Sequence, residues 1–72
     1  MVNIKVETKT VLINEDEWDE FEVGDGITIM AQDEMYCGDI KRILSDSVVI
    51  DDYDREETTT INFADIEEIY RY

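Results

Sequence analysis

Hydrophobic and polar residues alternate along much of the chain, and this alternation predicts short β-strands. Residues 4–13 (IKVETKTVLI) place Ile4 and Val6 on one face and Lys5 on the other. A period of two is typical of a half-buried strand, so we predict strand one over 4–13. The same period returns over 27–31 after a segment with two glycines, where strand two begins.

Turn residues separate the strands predicted further along the chain. Gln32, Asp33 and Glu34 form a turn into residues 35–44 (MYCGDIKRIL), which we predict as strand three. A glycine inside a strand marks a bend or a close approach of two backbones, so Gly38 predicts a sharp curve. The remaining predictions are strand four from Val48, strand five over 58–63, a single turn over 64–66, and a last strand over 67–72 with Ile69 inward.

One segment lacks the strand pattern and favours a helix instead. Asn14 is a favourable N-cap residue, and the acids after it would stabilise a helix N-terminus. Trp18 and Phe21 lie three residues apart and would share one helical face. We therefore predict a short helix of one or two turns over 15–21.

Composition supports a mostly-β fold. The chain has ten Ile and six Val but only two Leu and two Ala, and β-branched residues favour sheets. Five or six short strands, one of them curved, predict a small curved barrel with one short acidic helix or turn, because closure removes exposed edges. We expect a single domain over 1–72. Cys37 has no partner for an internal disulfide, so packing or self-association must stabilise the chain.

The net charge narrows the class of partner. Twenty acidic residues against six basic ones and no histidine give a net charge of −14. Such a chain repels phosphate, which argues against direct binding to nucleic acid and to anionic membranes. The expected partner is therefore a basic protein, although acidity that only keeps the chain solvated is the alternative.

Two clusters of acidic residues are the candidate binding surfaces. Seven acids and no base lie between Glu15 and Asp25, and a second group over 51–57 is interrupted only by Arg55. Interface hot spots favour Trp and Tyr inside a charged rim, although Trp18 and Phe21 could instead fasten the helix onto the barrel. The predicted partner-binding residues are Glu15, Asp16, Glu17, Trp18, Asp19, Glu20, Phe21, Glu22, Asp51, Asp52, Tyr53 and Asp54.

The side chains needed for catalysis are missing from the sequence. The chain has no histidine, and its two serines lie in a predicted turn, so no nucleophile stands beside a base and we expect no enzyme. Zinc requires several Cys or His ligands, and residues 51–56 lack the glycine of a calcium loop, so we expect no metal or cofactor. Residues 1–9 lack the apolar block of a signal peptide, and a lone cysteine suits a reducing compartment, so we expect a cytoplasmic protein.

Three motifs resemble a known family. Val23, Gly24 and Asp25 enter a strand, Gly38, Ile40 and Ile43 lie in the bent strand, and residues 61–69 (INFADIEEI) look like a fourth strand, a single turn and a fifth strand. Together, residues 23–70 resemble the Sm-like family and, more broadly, SH3-like barrels. In that family an RNA pocket uses an Asp and an Asn at the positions held here by Leu44 and Val48, so RNA binding does not carry over. In charge and architecture the chain is similar to the acidic Sm-like inhibitor of the transcription terminator Rho.

The sequence therefore predicts a non-enzymatic acidic binding module. We expect a regulator or inhibitor that docks a basic protein, such as a nucleic-acid-binding one, by imitating the charge of nucleic acid. The alternative is a self-assembling Sm-like structural module that forms homo-oligomers through its edge strands, residues 58–63 and 67–72.

Overall fold

Eight β-strands in two antiparallel sheets make up most of the structure. The computed structural model describes residues 2–72, so Met1 of the domain predicted over 1–72 lies outside the described part. The strands are β1 (Ile4–Thr8), β2 (Val11–Asn14), β3 (Asp19–Glu22), β4 (Gly26–Ala31), β5 (Glu34–Ile43), β6 (Ser47–Asp52), β7 (Thr58–Asn62) and β8 (Ile66–Arg71). A single 3-10 turn, Phe63–Asp65, joins β7 to β8.

The sheets have the strand orders β1-β2-β3 and β7-β6-β5-β4-β8. The mostly-β prediction is confirmed, whereas strand pairing does not close the two sheets into one barrel. No helix among residues 2–72 is long and apolar enough to cross a membrane.

The first predicted strand is wrong because residues 4–13 form a hairpin. The chain reverses between Thr8 and Val11, and β1 pairs antiparallel with β2. At the reversal, the Thr8 hydroxyl accepts a hydrogen bond of 3.2 Å from the Thr10 amide. Hydrogen bonds of this kind, between a threonine side chain and a nearby backbone amide, compete with the strand and favour a turn. Because the alternation of apolar residues continues across the turn, the pattern alone predicts one uninterrupted strand.

The predicted helix over 15–21 is also wrong. The Asn14 side-chain carbonyl accepts the Asp16 amide at 3.0 Å, which makes a turn of a kind that competes with a helix start. Trp18 has a φ of +58°, in the left-handed region that a right-handed helix excludes. Residues 15–18 therefore form a turn, named here the acidic turn, and the chain continues as β3.

The strand and turn positions predicted for the rest of the chain are confirmed within a residue or two. Gln32 and Asp33 form a two-residue turn with φ values of +50° and +65°, which suits the twist of the β4–β5 hairpin. β5 is ten residues long and contains Gly38. The single turn lies one residue earlier than predicted, and Ile69 of β8 is buried.

One hydrophobic cluster joins the two sheets. Leu12 and Phe21 lie opposite each other across β2 and β3, and both are fully buried. They pack with the isoleucines and valines of the five-stranded sheet. The three-stranded sheet thus covers one face of the larger sheet, which leaves the acidic turn at its edge.

Candidate functional site

The acidic turn projects its carboxylates into solvent. Glu15, Asp16 and Glu17 are all exposed. The Asp16 carboxylate accepts the Asn3 backbone amide at 3.0 Å and the Asn3 side-chain amide at 3.1 Å. The Glu15 amide in turn donates to the Asn3 carbonyl at 2.7 Å. These bonds hold the turn against the N-terminal segment without neutralising its charge.

Trp18 is the most unusual residue of the acidic turn. Its side chain is 76% exposed, so it buries little apolar surface in the fold. Its left-handed backbone conformation costs a non-glycine residue about 1–2 kcal/mol. The indole therefore contributes little to folding and is available for contact with another molecule.

Replacing Trp18 by glycine is expected to keep the fold and to raise the free energy of unfolding by up to about 1 kcal/mol. Glycine adopts a positive φ without steric cost, and its extra freedom in the unfolded chain offsets part of the gain. Urea unfolding followed by circular dichroism measures the change. A loss of more than about 1 kcal/mol would show that the indole packs on the fold, whereas the control Phe21→Leu should lose stability because that side chain is buried.

The structure removes Phe21 from the predicted binding surface. Phe21 is a core residue, and the Arg71 guanidinium lies 5.1 Å from the centre of its ring. In β3 the exposed side chains are Glu20 and Glu22, while Asp19 is partly buried. Of the first predicted group, the residues presented to solvent are Glu15, Asp16, Glu17, Trp18, Glu20 and Glu22.

Asp52 is likewise a structural residue and not a surface one. It is 3% exposed, and its carboxylate accepts the amides of Asp54 at 2.9 Å and Arg55 at 3.1 Å. The Arg55 guanidinium donates to the same carboxylate at 2.7 Å. Burial alone would raise the pKa of Asp52, but the hydrogen bonds from Arg55 and the two backbone amides outweigh it and hold the pKa below its usual value. Asp52 therefore organises the loop over 53–57.

Tyr53 belongs to a small aromatic cluster that the sequence did not reveal. Its hydroxyl donates a hydrogen bond to Asp39, and its ring meets the edge of Tyr72 with centroids 5.0 Å apart. Both tyrosines are exposed, as are Asp51 and Asp54. No local pattern pairs residues so far apart in the chain, so no sequence signal could have found this cluster.

The hydrogen bond to Asp39, followed by desolvation and the charge of Asp39, raises the pKa of Tyr53 to about 12 from an ordinary 10.0. The neutral phenol is the favoured form, so its stabilising effect is complete below pH 10 and is lost as the pH rises through about 12. We expect an ultraviolet titration to show a phenol that ionises near pH 12. The hydrogen bond to Glu34 also raises the pKa of Tyr36, so variants are needed for the assignment. Asp39→Asn should return the phenol near pH 12 towards the ordinary value and Tyr53→Phe should remove it; a titration curve for Tyr53→Phe with as many late phenols as the wild type would contradict the assignment.

The structure does not bring the two acidic groups together. No hydrogen bond or ion pair within residues 2–72 links the acidic turn to residues 51–54. The four ion pairs of the described chain use Asp25, Glu34, Asp51 and Asp52, so none neutralises the acidic turn. The acidic turn instead faces β8 across a groove of about 240 Å³ whose lining includes Asp16, Glu17, Glu68 and Tyr70.

In the described part of the chain, no three or more His, Cys, Asp or Glu side chains are grouped so that they could hold a metal ion. The Cys37 thiol is partly buried and lies 3.5 Å from the Thr28 hydroxyl. No family model matches the chain, and no curated protein and no solved structure is significantly similar to it.

Proposed function

We propose that this protein is a non-enzymatic acidic binding module that docks a basic protein through its acidic turn. One observation carries the proposal: Trp18 is 76% exposed in a left-handed conformation, beside carboxylates that no basic residue of the described chain neutralises. A large aromatic side chain within a charged rim is the composition of an interface hot spot.

Long-range electrostatics supports a basic partner. The net charge of −14 repels nucleic acid and anionic membranes and attracts cationic surfaces. Three of the basic residues, Lys41, Arg55 and Arg71, pair with acids outside the acidic turn. Complementary charge speeds association and makes binding weaken with salt, so we expect affinity to fall steeply as ionic strength rises.

A nucleic-acid-binding protein is the class of partner that we favour. Glu20 and Glu22 are exposed two residues apart on β3, which places them about 6.6–6.8 Å apart along the strand. This distance is about two phosphate steps of 3.4 Å along one nucleic-acid strand. The module would then act as a regulator or inhibitor in the cytoplasm by competing with the partner's nucleic acid, without a cofactor or a catalytic step.

The proposed Sm-like barrel is compatible with this role. Gly38 within β5 and the 3-10 turn between β7 and β8 belong to the segments that carry the resemblance. The Arg71 guanidinium of β8 donates a hydrogen bond of 2.7 Å to the Glu20 backbone carbonyl of β3. This bond links the two sheets. The acidic Sm-like inhibitor of Rho, which the chain resembles, supports the assignment as a regulator.

Charge reversal at the acidic turn and at the first two residues of β3 tests the proposal. The immobilised protein is compared with the triple variant Asp16→Lys, Asp19→Lys and Glu20→Lys. The control is Asp46→Lys, Glu56→Lys and Glu57→Lys, which changes the net charge equally at exposed acids elsewhere. Bound proteins are eluted with a salt gradient and identified by mass spectrometry.

We expect the wild type and the control to retain the same basic proteins and the acidic-turn variant to lose them. Equal retention by all three would contradict the proposal. Loss in both variants would show that total charge, and not the acidic turn, determines binding.

The open edges of the five-stranded sheet favour self-assembly as a second candidate function. Among residues 2–72, no strand pairs with the outer side of β7 or β8, and β7 carries no charged residue. Unpaired edges are templates for association between chains. Repulsion between chains of net charge −14 opposes it and is screened only beyond a Debye length of roughly 8 Å at physiological salt.

Light scattering at low and at physiological salt separates the two functions. We expect the mass of one chain under both conditions, because charge repulsion opposes edge pairing. A discrete dimer or ring would support the structural module and would assign the acidic residues to solvation.

A further inference from the structure

We infer that the open edge of β8 binds an extended basic segment of the partner by adding a strand to the five-stranded sheet. The inference rests on the proposed function, since it presumes a basic protein partner. β8 ends the order of its sheet, and the groove beside the acidic turn runs along this strand at Glu68, Ile69 and Tyr70. The groove therefore borders a strand that, within residues 2–72, pairs with β4 on one side only and whose other edge is open.

The main chain of β8 faces the groove at Ile69. The Tyr72 amide donates to the Gly26 carbonyl of β4 at 3.1 Å. Because backbone groups alternate in direction along a strand, those of Ile69, three residues before, point away from β4. The side chain of Ile69 is buried, with the residue 2% exposed, yet Ile69 lines the groove. A strand laid in the groove could pair with these backbone groups.

The walls of the groove are suited to a cationic side chain. Asp16 and Glu17 lie on one wall and Glu68 on the other, and none of the three takes part in an ion pair within residues 2–72. Tyr70, exposed and part of the groove lining, supplies an aromatic ring of the kind that attracts a cation. The volume of about 240 Å³ is below that of pockets for drug-sized ligands, which suits one long side chain.

A buried amide fixes one wall of the groove. Asn14 lines the groove and is 1% exposed. Its side-chain carbonyl accepts the Asp16 amide at 3.0 Å, which holds Asp16 at the groove. A second copy of this chain fits less well, because it brings a net charge of −14 to the three carboxylates. Its edge strand β7 is uncharged, and its edge strand β1 carries one lysine, Lys5, together with Glu7.

Two synthetic peptides of about nine residues test this inference. In the first, Lys alternates with Thr, so that the lysines share one face of a strand. In the second, proline replaces two threonines, which preserves the charge but removes the amides needed for pairing. Amide resonances of the isotope-labelled full chain are followed during titration with each peptide at low salt. The variants Glu68→Lys and Glu17→Lys change the two walls, and Glu57→Lys is the distant control.

We expect the first peptide to shift and protect the Ile69 amide and the second to bind at least about tenfold more weakly. Glu68→Lys and Glu17→Lys should each weaken binding of the first peptide about tenfold, and Glu57→Lys less than about twofold. Undiminished dispersion of the amide resonances shows that each variant is folded.

Four outcomes would overturn the inference. Three concern the peptides: equal binding of both, shifts spread over the whole acidic surface, and no binding at all. The fourth is a concentration-dependent dimer that protects the same amide, which would assign the edge to a second copy. The peptide test involves no partner protein, so its failure would not contradict capture of basic proteins by the acidic turn. Equal capture by the charge-reversed variant would contradict the proposed function without testing strand addition at β8.

Discussion

The Gly38→Ala variant is expected to be unfolded, or to lose at least about 3 kcal/mol of stability. A Cβ atom at this position would lie 2.2 Å from the Asp51 carbonyl oxygen and 2.8 Å from its carbonyl carbon. Both atoms belong to the backbone of β6, so relief requires the two central strands to separate. Overpacking of a core costs about 1–3 kcal/mol even where side chains can adjust. A chain of this size has only about 3–5 kcal/mol to lose.

Far-UV circular dichroism and urea unfolding measure the effect of this substitution. Gly24→Ala is the matched control, because no atom lies within 4 Å of its added Cβ, although its φ of +99° strains an alanine. We expect this control to fold with a loss of about 1–2 kcal/mol. A Gly38→Ala variant as stable as the Gly24→Ala variant would contradict the close packing of β5 against β6.

The second large effect is expected for Asp52→Ala, which should lower the free energy of unfolding by about 3 kcal/mol. The substitution removes the buried acceptor of two backbone amides and of the Arg55 guanidinium, and each lost partner leaves a donor to be resolvated. The loop over 53–57 should lose its order. Asp51→Ala, at the neighbouring exposed position, removes only an ion pair of 3.9 Å to Lys41 and should change stability by less than about 1 kcal/mol.

The pH dependence of stability provides an independent check on Asp52. Its pKa is lowered in the folded state, so the charged form is stabilising above the ordinary value of 3.8 and the effect is lost as the pH falls through the lower, folded value. The wild type should lose stability in this acid range more steeply than Asp52→Asn. Parallel pH profiles for the two proteins would contradict the role assigned to the carboxylate.

The strands of the five-stranded sheet could be predicted because local patterns determine them. Alternating Ile and Val residues, the turn at Gln32 and Asp33, and a glycine inside β5 each require nothing beyond their neighbours in sequence. Gly38 indicated a bend or a close approach of two backbones, and the structure packs it closely against the backbone of β6. For these strands, the structure predicted from local sequence agrees with the structure of the folded chain.

The three-stranded sheet, within residues 4–22, was harder because its signals are ambiguous. Asn14 can cap a helix or form a turn, and only the pairing of β2 with β3 decides between them. The segment DEFE of β3 does alternate, with Phe21 inward, but a single apolar residue among acids gives a weak pattern. Tertiary packing of Phe21 therefore overrides the local preference of the acidic segment.

The candidate site could be predicted only as a region. The acidic run and the aromatic residue within it indicated a surface, and the structure presents Trp18 there. In the structure Trp18 is exposed and Phe21 is buried, and likewise Asp51 is exposed and Asp52 is buried. Composition alone does not distinguish the members of either pair. The groove beside β8 depends on residues more than fifty positions apart in the chain, so no sequence pattern could have located it.

Fluorescence of Trp18 during titration with a basic protein retained by the wild-type chain tests the central claim most directly. Trp18 is the only tryptophan of the chain, so a partner without tryptophan, or one labelled with a tryptophan analogue, leaves its signal unobscured. We predict that its emission moves to shorter wavelength and becomes protected from acrylamide quenching, and that both changes reverse as salt is raised. Saturable binding of the partner that leaves emission and quenching of Trp18 unchanged would contradict docking through the acidic turn.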